Sequence, residues 1–553
     1  MAKIGWGLIL IVILGVLLFA AMTVMQKPEK SEPQPVPQEE QAENPKLTVQ
    51  DIMHLAEIGK VPDVPFVAGE AKKQDIQQQW GEAQNVAELD NEKYEDYTKQ
   101  DVTIGYQGEL AFDIRSFKAD IQNIHLEDIK NNMGEPTETR YYQDEATDQV
   151  ILVYQVNPTY QLKWILPKPT EAEANPSVHH ISVYTKIKDE VAEAINQMTL
   201  EEKIGQMMFA GVAGTTLQQE TASLIHDFKV GGMILYGNNL ETTTQSVNLV
   251  NDLMKANADN RLPLFIGTDQ EGGNVVRLPG ALKNFPTNQK IGAINEAQFS
   301  YEIGSLLGEQ LKAFGFNLDF APVLDINSNP KNPVIGDRSF SNNPQVVSEL
   351  GIQTMKGLAS QQVIPVIKHF PGHGDTSVDS HLALPKVEKS LKDLNETELI
   401  PFKAAIESGA DVVMVAHILL PKIDQNYPSS MSKEVITGIL REQIGFDGVV
   451  MTDDMTMGAI ANHYDMGQAA VAAVKAGNDI VLMAHGFSNV TSAIEAIKVA
   501  VNSGEISEAQ INESVRRIIQ LKQKYQLVNT PVPAVDINKL NADVERVLNA
   551  YMD

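Results

Sequence analysis

The chain of 553 residues contains no cysteine. That absence excludes disulfides, thiolate metal sites, a cysteine nucleophile and cysteine lipidation. A chain this long without a thiol also fits an exported protein. Cations are in deficit: 44 Lys and Arg against 72 Asp and Glu give a net charge of −28, spread along the chain. No basic stripe offsets it, so nucleic acid is not an expected partner. The glycine-rich phosphate turn of dinucleotide-binding folds is missing as well. The turn Gln270-Glu-Gly-Gly273 is not a G-x-G-x-x-G.

The first 25 residues carry a localisation signal. Ile4 to Met25 is an uncharged run of 22 residues, long enough to cross a bilayer as a helix. It is longer than the apolar stretch of a cleaved signal peptide, and Ala20-Ala21-Met22-Thr23 matches a cleavage site poorly. Residues 1–25 are therefore read as an uncleaved membrane anchor, a secreted form after cleavage being the alternative. Lys3 on one side and Lys27 and Lys30 on the other leave the orientation open, so an extracytoplasmic C-terminal part is expected only from the function implied by the motifs below. Residues 26–46 are rich in Pro and Glu with almost no large apolar side chain, which predicts an extended, solvated linker.

Residues 47–186 hold an internal repeat. Asp75-Ile-Gln-Gln-Gln-Trp-Gly-Glu-Ala83 recurs 53 residues later as Asp128-Ile-Lys-Asn-Asn-Met-Gly-Glu-Pro136. Each copy predicts a short helix stopped by glycine. β-rich sequence follows each copy, Asp101–Tyr106 and Val150–Gln155. Two helix–strand repeats imply a small α+β domain with an antiparallel sheet. The stretch resembles an accessory domain of unassigned role in secreted proteins of Gram-positive, spore-forming bacteria. It has no catalytic cluster and is read as a spacer or a binding module, whose partner would be a cell-wall component.

From Lys188 the pattern changes. Thr199-Leu-Glu-Glu202 is a capping-box opening to a helix. Eight apolar, strand-like runs then alternate with helical stretches: Met207–Val212, Gly232–Tyr236, Leu264–Thr268, Leu318–Val323, Pro365–Lys368, Val412–Ala416, Gly448–Thr452 and Ile480–Met483. Amphipathic stretches such as Ser300–Phe314 and Leu394–Ser408 lie between them. Eight β/α units over residues 188–530 predict a (β/α)8 TIM barrel, with an open doubly wound sheet as the competing α/β architecture. Val515–Leu527 is read as the closing helix. Residues 531–553 are read as a short helical tail from Asp536.

Polar residues cluster just after these runs. Asp269 follows the third, with Arg277 beyond it; Asp325 follows the fourth, with Arg338 in its long loop. Lys368 and His369 end the fifth, His417 the sixth, Asp453 the seventh and His485 the eighth. In a barrel these positions converge on one mouth, which points to an active site. The densest segment is Lys368–His381, with one Lys, three His and two Asp in fourteen positions. A metal site is the rival reading of that segment. His369 and His373 have i, i+4 spacing, but Phe-Pro-Gly between them disfavours a helical pair of ligands.

The motif Lys368-His-Phe-Pro-Gly-His-Gly374 followed by Asp379-Ser-His381 resembles the signature of the β-N-acetylglucosaminidase branch of glycoside hydrolase family 3. Supporting matches run in family order: Gly267-Thr-Asp-Gln-Glu-Gly-Gly273, Leu318-Asp-Phe-Ala-Pro-Val-Leu-Asp325, Ile335-Gly-Asp-Arg-Ser-Phe340 and Phe446-Asp-Gly-Val-Val-Met-Thr-Asp453. The resemblance implies a barrel and an exo-acting retaining β-N-acetylglucosaminidase without metal or cofactor. Its expected substrates would be N-acetylglucosamine-containing saccharides or muropeptides. Asp453 would be the nucleophile, ahead of its neighbour Asp454. His381, paired with Asp379, would be the acid/base, since an imidazole titrates near neutrality and a carboxylate supports its cation. Asp269, Arg277, Arg338, Lys368 and His369 would bind the terminal sugar. His373, Asp375, His417 and His485 fit packing as readily as contact with substrate. The stretch from His373 to Val378 stays open between hinge, lid and substrate contact. A phosphorylase, in which phosphate intercepts the glycosyl-enzyme, and an inactive wall-binding protein are the alternative functions.

Overall fold

A computed structural model of the protein describes residues 47–552 apart from 90–91, 145 and 381–382. The expected membrane helix over residues 1–25 and the linker over 26–46 lie outside the described residues. Among the described residues no helix is long and apolar enough to cross a membrane. The chain divides after Ile187 into two compact units.

The first unit is built from two copies of one pattern. Helix Lys73–Trp80 precedes β1 (Asn85–Leu89), β2 (Glu92–Tyr97), β3 (Val102–Gln107) and β4 (Leu110–Ser116). Helix Leu126–Met133 precedes β5 (Glu138–Gln143), β6 (Asp148–Gln155), β7 (Tyr160–Pro167) and β8 (His180–Thr185). The two helices end at Gly81 (φ 82°) and Gly134 (φ 72°), a backbone region that costs glycine nothing. The last strands of the copies pair antiparallel, Asp113 opposite Tyr184, giving one eight-stranded sheet in the order β1-β2-β3-β4-β8-β7-β6-β5. Its core includes Trp164, Tyr97 and Tyr106, all but inaccessible to solvent.

The second unit opens with the capping box read from sequence. Thr199 Oγ1 accepts the Glu202 N–H at 3.2 Å, and Glu202 accepts the Thr199 N–H at 2.9 Å. Eight strands follow: β9 (Met208–Gly211), β10 (Gly232–Ile234), β11 (Phe265–Thr268), β12 (Leu318–Asp319), β13 (Ile364–Phe370), β14 (Val412–Val415), β15 (Val449–Thr452) and β16 (Val481–Met483). All neighbours are parallel, in the order β15-β14-β13-β12-β11-β10-β9-β16. A parallel bridge between Met451 and Ile480 joins the two ends, so the sheet is nearly closed into a barrel. Phe209 fills the interior against strands that approach it through glycine. A Cβ on Gly232 or Gly267 would come within 2.6 or 3.1 Å of its ring.

The predicted helix over 394–408 is two helices, Leu391–Glu396 and Leu399–Glu407, broken at Thr397 (φ −140°, ψ −80°). Pro401 explains the break, because its ring clashes with a helical carbonyl four residues earlier, at Thr397. The C-terminal helix Ile537–Met552 packs on helix Ala297–Ala313, with Tyr551 stacked on Phe299 at 4.7 Å and Lys539 paired with Glu309. Val544 and Val547 join the same core as the barrel.

Candidate active site

The carboxyl ends of the barrel strands surround a cavity of ≈ 500 Å3. Asp269, Arg277, Arg338, Lys368, His369, Asp379 and Asp453 all line it, so the residues singled out from sequence meet in one place. His381 lies outside the described residues. A larger, more open groove of ≈ 870 Å3 between helices Met466–Ala476 and Phe487–Asn502 carries none of these groups.

One wall is a chain of alternating charges. After β11, Asp269 and Glu271 point to the same side, as residues two apart do in extended backbone. Lys368, at the end of β13, reaches Asp269 at 2.7 Å and Glu271 at 2.8 Å. Arg338 grips Glu271 in bidentate fashion at 2.9 and 2.7 Å. Burial would raise the Glu271 carboxyl, but Arg338 and Lys368 outweigh it and hold the group well below the usual glutamate range. The same carboxylates hold Lys368 protonated against its own burial. Arg277 joins no ion pair among the described residues, and its Nε is buried without a partner. Beneath this wall Asp319 accepts the Gln270 N–H at 2.9 Å. Burial pushes its carboxyl far up, which favours the neutral form.

A second wall comes from the β12 and β13 loops. The buried Asp325 bonds His369 Nδ1 at 2.6 Å and accepts the His373 N–H at 2.6 Å. Burial opposes ionisation of Asp325, and the adjacent imidazoles of His369 and His373 overcome it, so the carboxyl is lowered. His373 lines the cavity but is almost fully buried, and burial followed by the nearby His369 brings its imidazole down to about 4.

Asp453 and Asp454 end β15 with different surroundings. Asp454 accepts the N–H groups of Thr456 and Ala484, each at 2.9 Å, and the Thr456 hydroxyl at 2.7 Å. Asp453 accepts one hydrogen bond among the described residues, from the Asp454 N–H at 2.8 Å. Burial raises the Asp453 carboxyl, while the imidazoles of His417 and His369, the Asp454 N–H and Lys368 more than compensate and leave it lowered. An ionised carboxylate with a spare oxygen in a cavity is a competent nucleophile.

The remaining strand-end residues divide. His417 is fully buried between the Ser430 hydroxyl (2.7 Å) and the Asp454 carbonyl (2.9 Å), a packing role. Asp375 pairs with Lys389 at 3.1 Å and is taken up there. His485 lines the cavity, its ring stacked on Tyr236 with centroids 5.6 Å apart. Glu271, Asp319 and Tyr236 were given no role from sequence. Glu271 had a usable signal, its two-residue spacing from Asp269 directly after a strand. Asp319 and Tyr236 sit within apolar runs and carried none.

The chain matches the model described as glycosyl hydrolase family 3 N terminal domain over residues 199–521. Residues 49–184 match a domain of unknown function, DUF4309. Over 336 residues it is 36% identical to β-hexosaminidase A of Pseudoalteromonas piscicida, covering 56% of this chain and 56% of that protein. Over 350 residues it is 31% identical to a β-hexosaminidase of Nitrosomonas eutropha, covering 62% of this chain and 99% of that one. The match thus spans little more than half the length of the first relative and nearly all of the second. Among solved structures, a glycoside hydrolase family 3 β-N-acetylglucosaminidase from Paenibacillus sp. str. FPU-7 is similar with a TM-score of 0.61 and 39% identity, over 64% of this chain and 69% of that one. A β-N-acetylhexosaminidase from Beutenbergia cavernae is similar with a TM-score of 0.56 and 30% identity, over 59% of this chain and 99% of that one.

Proposed function

The chain belongs to glycosyl hydrolase family 3, and from that premise we propose that it is an exo-acting, retaining β-N-acetylglucosaminidase. The observation that carries the reading is the opposition within one cavity of a sparsely hydrogen-bonded, ionised Asp453 and a charge-paired cradle of Asp269, Lys368, Glu271 and Arg338. The cradle is suited to gripping hydroxyls of one terminal sugar, helped by Arg277 and His369. The cavity's modest volume favours an end residue over an internal one.

The chemistry takes two steps. Asp453 attacks the anomeric carbon while the glycosidic C–O bond breaks and His381 gives its proton to the departing oxygen. The carboxylate of Asp379 supports the imidazolium before that transfer. His381 then removes a proton from water, the water oxygen bonds the anomeric carbon, and the bond to Asp453 breaks, releasing N-acetylglucosamine. Asp454 is unsuited to the attack because its oxygens are engaged by Thr456 and Ala484.

The natural substrate we favour is a muropeptide or another peptidoglycan fragment. An extracytoplasmic location, anchored by residues 1–25 or free after cleavage, would place the enzyme beside such material. A histidine acid also avoids adding another carboxylate next to an anionic muramyl substrate on a chain already at −28. The test is a pair of variants assayed on a disaccharide and on an aryl glycoside with an acidic leaving group. His381→Ala should lose most activity on the first and keep more on the second, which needs little protonation; Asp453→Ala should be inactive on both. Equal loss for His381→Ala on the two substrates would sink the acid assignment. Release of sugar phosphate when phosphate is added would make the enzyme a phosphorylase instead.

A further inference from the structure

The loop after β13 is tied down on both sides of a short exposed tip, Ser377–Val378. On the incoming side the Asp325 carboxylate accepts the His373 N–H, Lys389 pairs with Asp375, and Asn329 donates to the Thr376 carbonyl at 3.2 Å. On the outgoing side the Ser380 carbonyl accepts the Ala459 N–H at 3.1 Å. One side chain spans the two limbs. The buried His373 ring meets the Thr376 hydroxyl through Nδ1 at 2.8 Å and the Ser380 hydroxyl through Nε2 at 3.0 Å.

These partners fit one arrangement of the protons. The Thr376 hydroxyl donates to the His373 carbonyl at 3.0 Å and accepts from Asn332 Nδ2 at 3.2 Å. Its remaining lone pair takes the His373 Nδ1–H. Nε2 is then the acceptor, and the Ser380 hydroxyl donates to it. The arrangement needs a neutral imidazole, which is what burial and the adjacent His369 provide. Ser380 is the chain neighbour of Asp379, so whatever fixes Ser380 fixes the carboxylate beside it.

We infer that His373 is a positioning residue for the acid/base step, stapling Ser380 to Thr376 so that Asp379 is held at the cavity. The inference rests on the reading of Asp379 and His381 as the proton-transfer pair. Nothing in it requires His373 to touch substrate: the ring lines the cavity, but both of its nitrogens are taken up by Thr376 and Ser380.

The test compares full-length His373→Ala, Ser380→Ala and Ser380→Thr with wild type, each on a β-linked N-acetylglucosamine disaccharide and on a dinitrophenyl β-N-acetylglucosaminide. A mispositioned acid hurts the poor leaving group selectively, whereas a loss of folded enzyme hurts both alike. Ser380→Ala should lower kcat about tenfold or more on the disaccharide and far less on the aryl substrate, with KM little changed. Ser380→Thr, which keeps the hydroxyl, should retain most activity. His373→Ala should show the same selectivity, and adding Ser380→Ala to it should cost little more. If His373→Ala fails to fold, the Ser380 pair still decides. Equal losses on both substrates for Ser380→Ala, or no loss at all, would overturn the staple. His381→Ala run alongside separates the two levels: a selective loss there with none in Ser380→Ala overturns the staple alone, and no selectivity in His381→Ala overturns the acid reading beneath it.

Discussion

Asp453 and Asp454 share a backbone turn and a side chain, yet their hydrogen bonds assign them different work. Asp454 ties the N–H groups of Thr456 and Ala484 into the β15–β16 rim. Asp454→Ala would leave the buried Ala484 N–H unpaired, at about 1–3 kcal/mol, and the half-buried Thr456 N–H without its partner at a smaller cost. We expect a lower urea midpoint with residual activity. Asp453→Ala should keep the midpoint near wild type and abolish turnover, since an active-site carboxylate in a buried setting contributes little to stability. Glu271 combines the two roles. Its folded pKa is depressed, so its contribution is present above the ordinary glutamate value of 4.5 and is lost as pH falls below it. Glu271→Gln breaks a buried pairing with Arg338 and Lys368 and should cost about 3–5 kcal/mol at neutral pH. It should also flatten the acid limb of Tm against pH below 4.5, which thermal melts across that range would check.

At the scale of elements, the strand-end loops are placed by close contacts as much as by hydrogen bonds. A Cβ at Gly374 would lie 1.6 Å from the Ile326 carbonyl oxygen, where the β13 loop crosses the β12 loop. Gly374→Ala should therefore destabilise by about 1–3 kcal/mol and lower kcat, read by urea melts and initial rates. Such crossings are invisible in the sequence, which is why the role of His373–Val378 could not be read from it. The barrel strands were legible because buried parallel strands are continuous apolar runs. Their edges were less so: β12 has two residues where six were expected, because Pro322 has no N–H for the ladder and pairing resumes only as an isolated bridge between Val323 and Lys368. In the repeat domain β3 and β6 were visible as apolar stretches, whereas β5 is exposed along its whole length and shows no alternation to read. The strand-end charges could be picked out one by one, but the pairing of Glu271 with Arg338 and Lys368 depends on three loops meeting and needed coordinates.

For the whole molecule, each unit has its own apolar core and every described residue of the cavity belongs to the second. A chain starting at Lys188 should therefore fold and keep the full-length kcat on soluble aryl glycosides. Calorimetry of the full chain should resolve two transitions, one of which the truncated chain reproduces. The measurement that reaches the central claim most directly is peptide mapping by mass spectrometry after incubation with a fluorinated N-acetylglucosaminyl fluoride, which slows release of the glycosyl-enzyme. The account predicts one covalent sugar adduct, on Asp453. An adduct on Asp454, or an enzyme that turns over substrate and never carries an adduct, would contradict it.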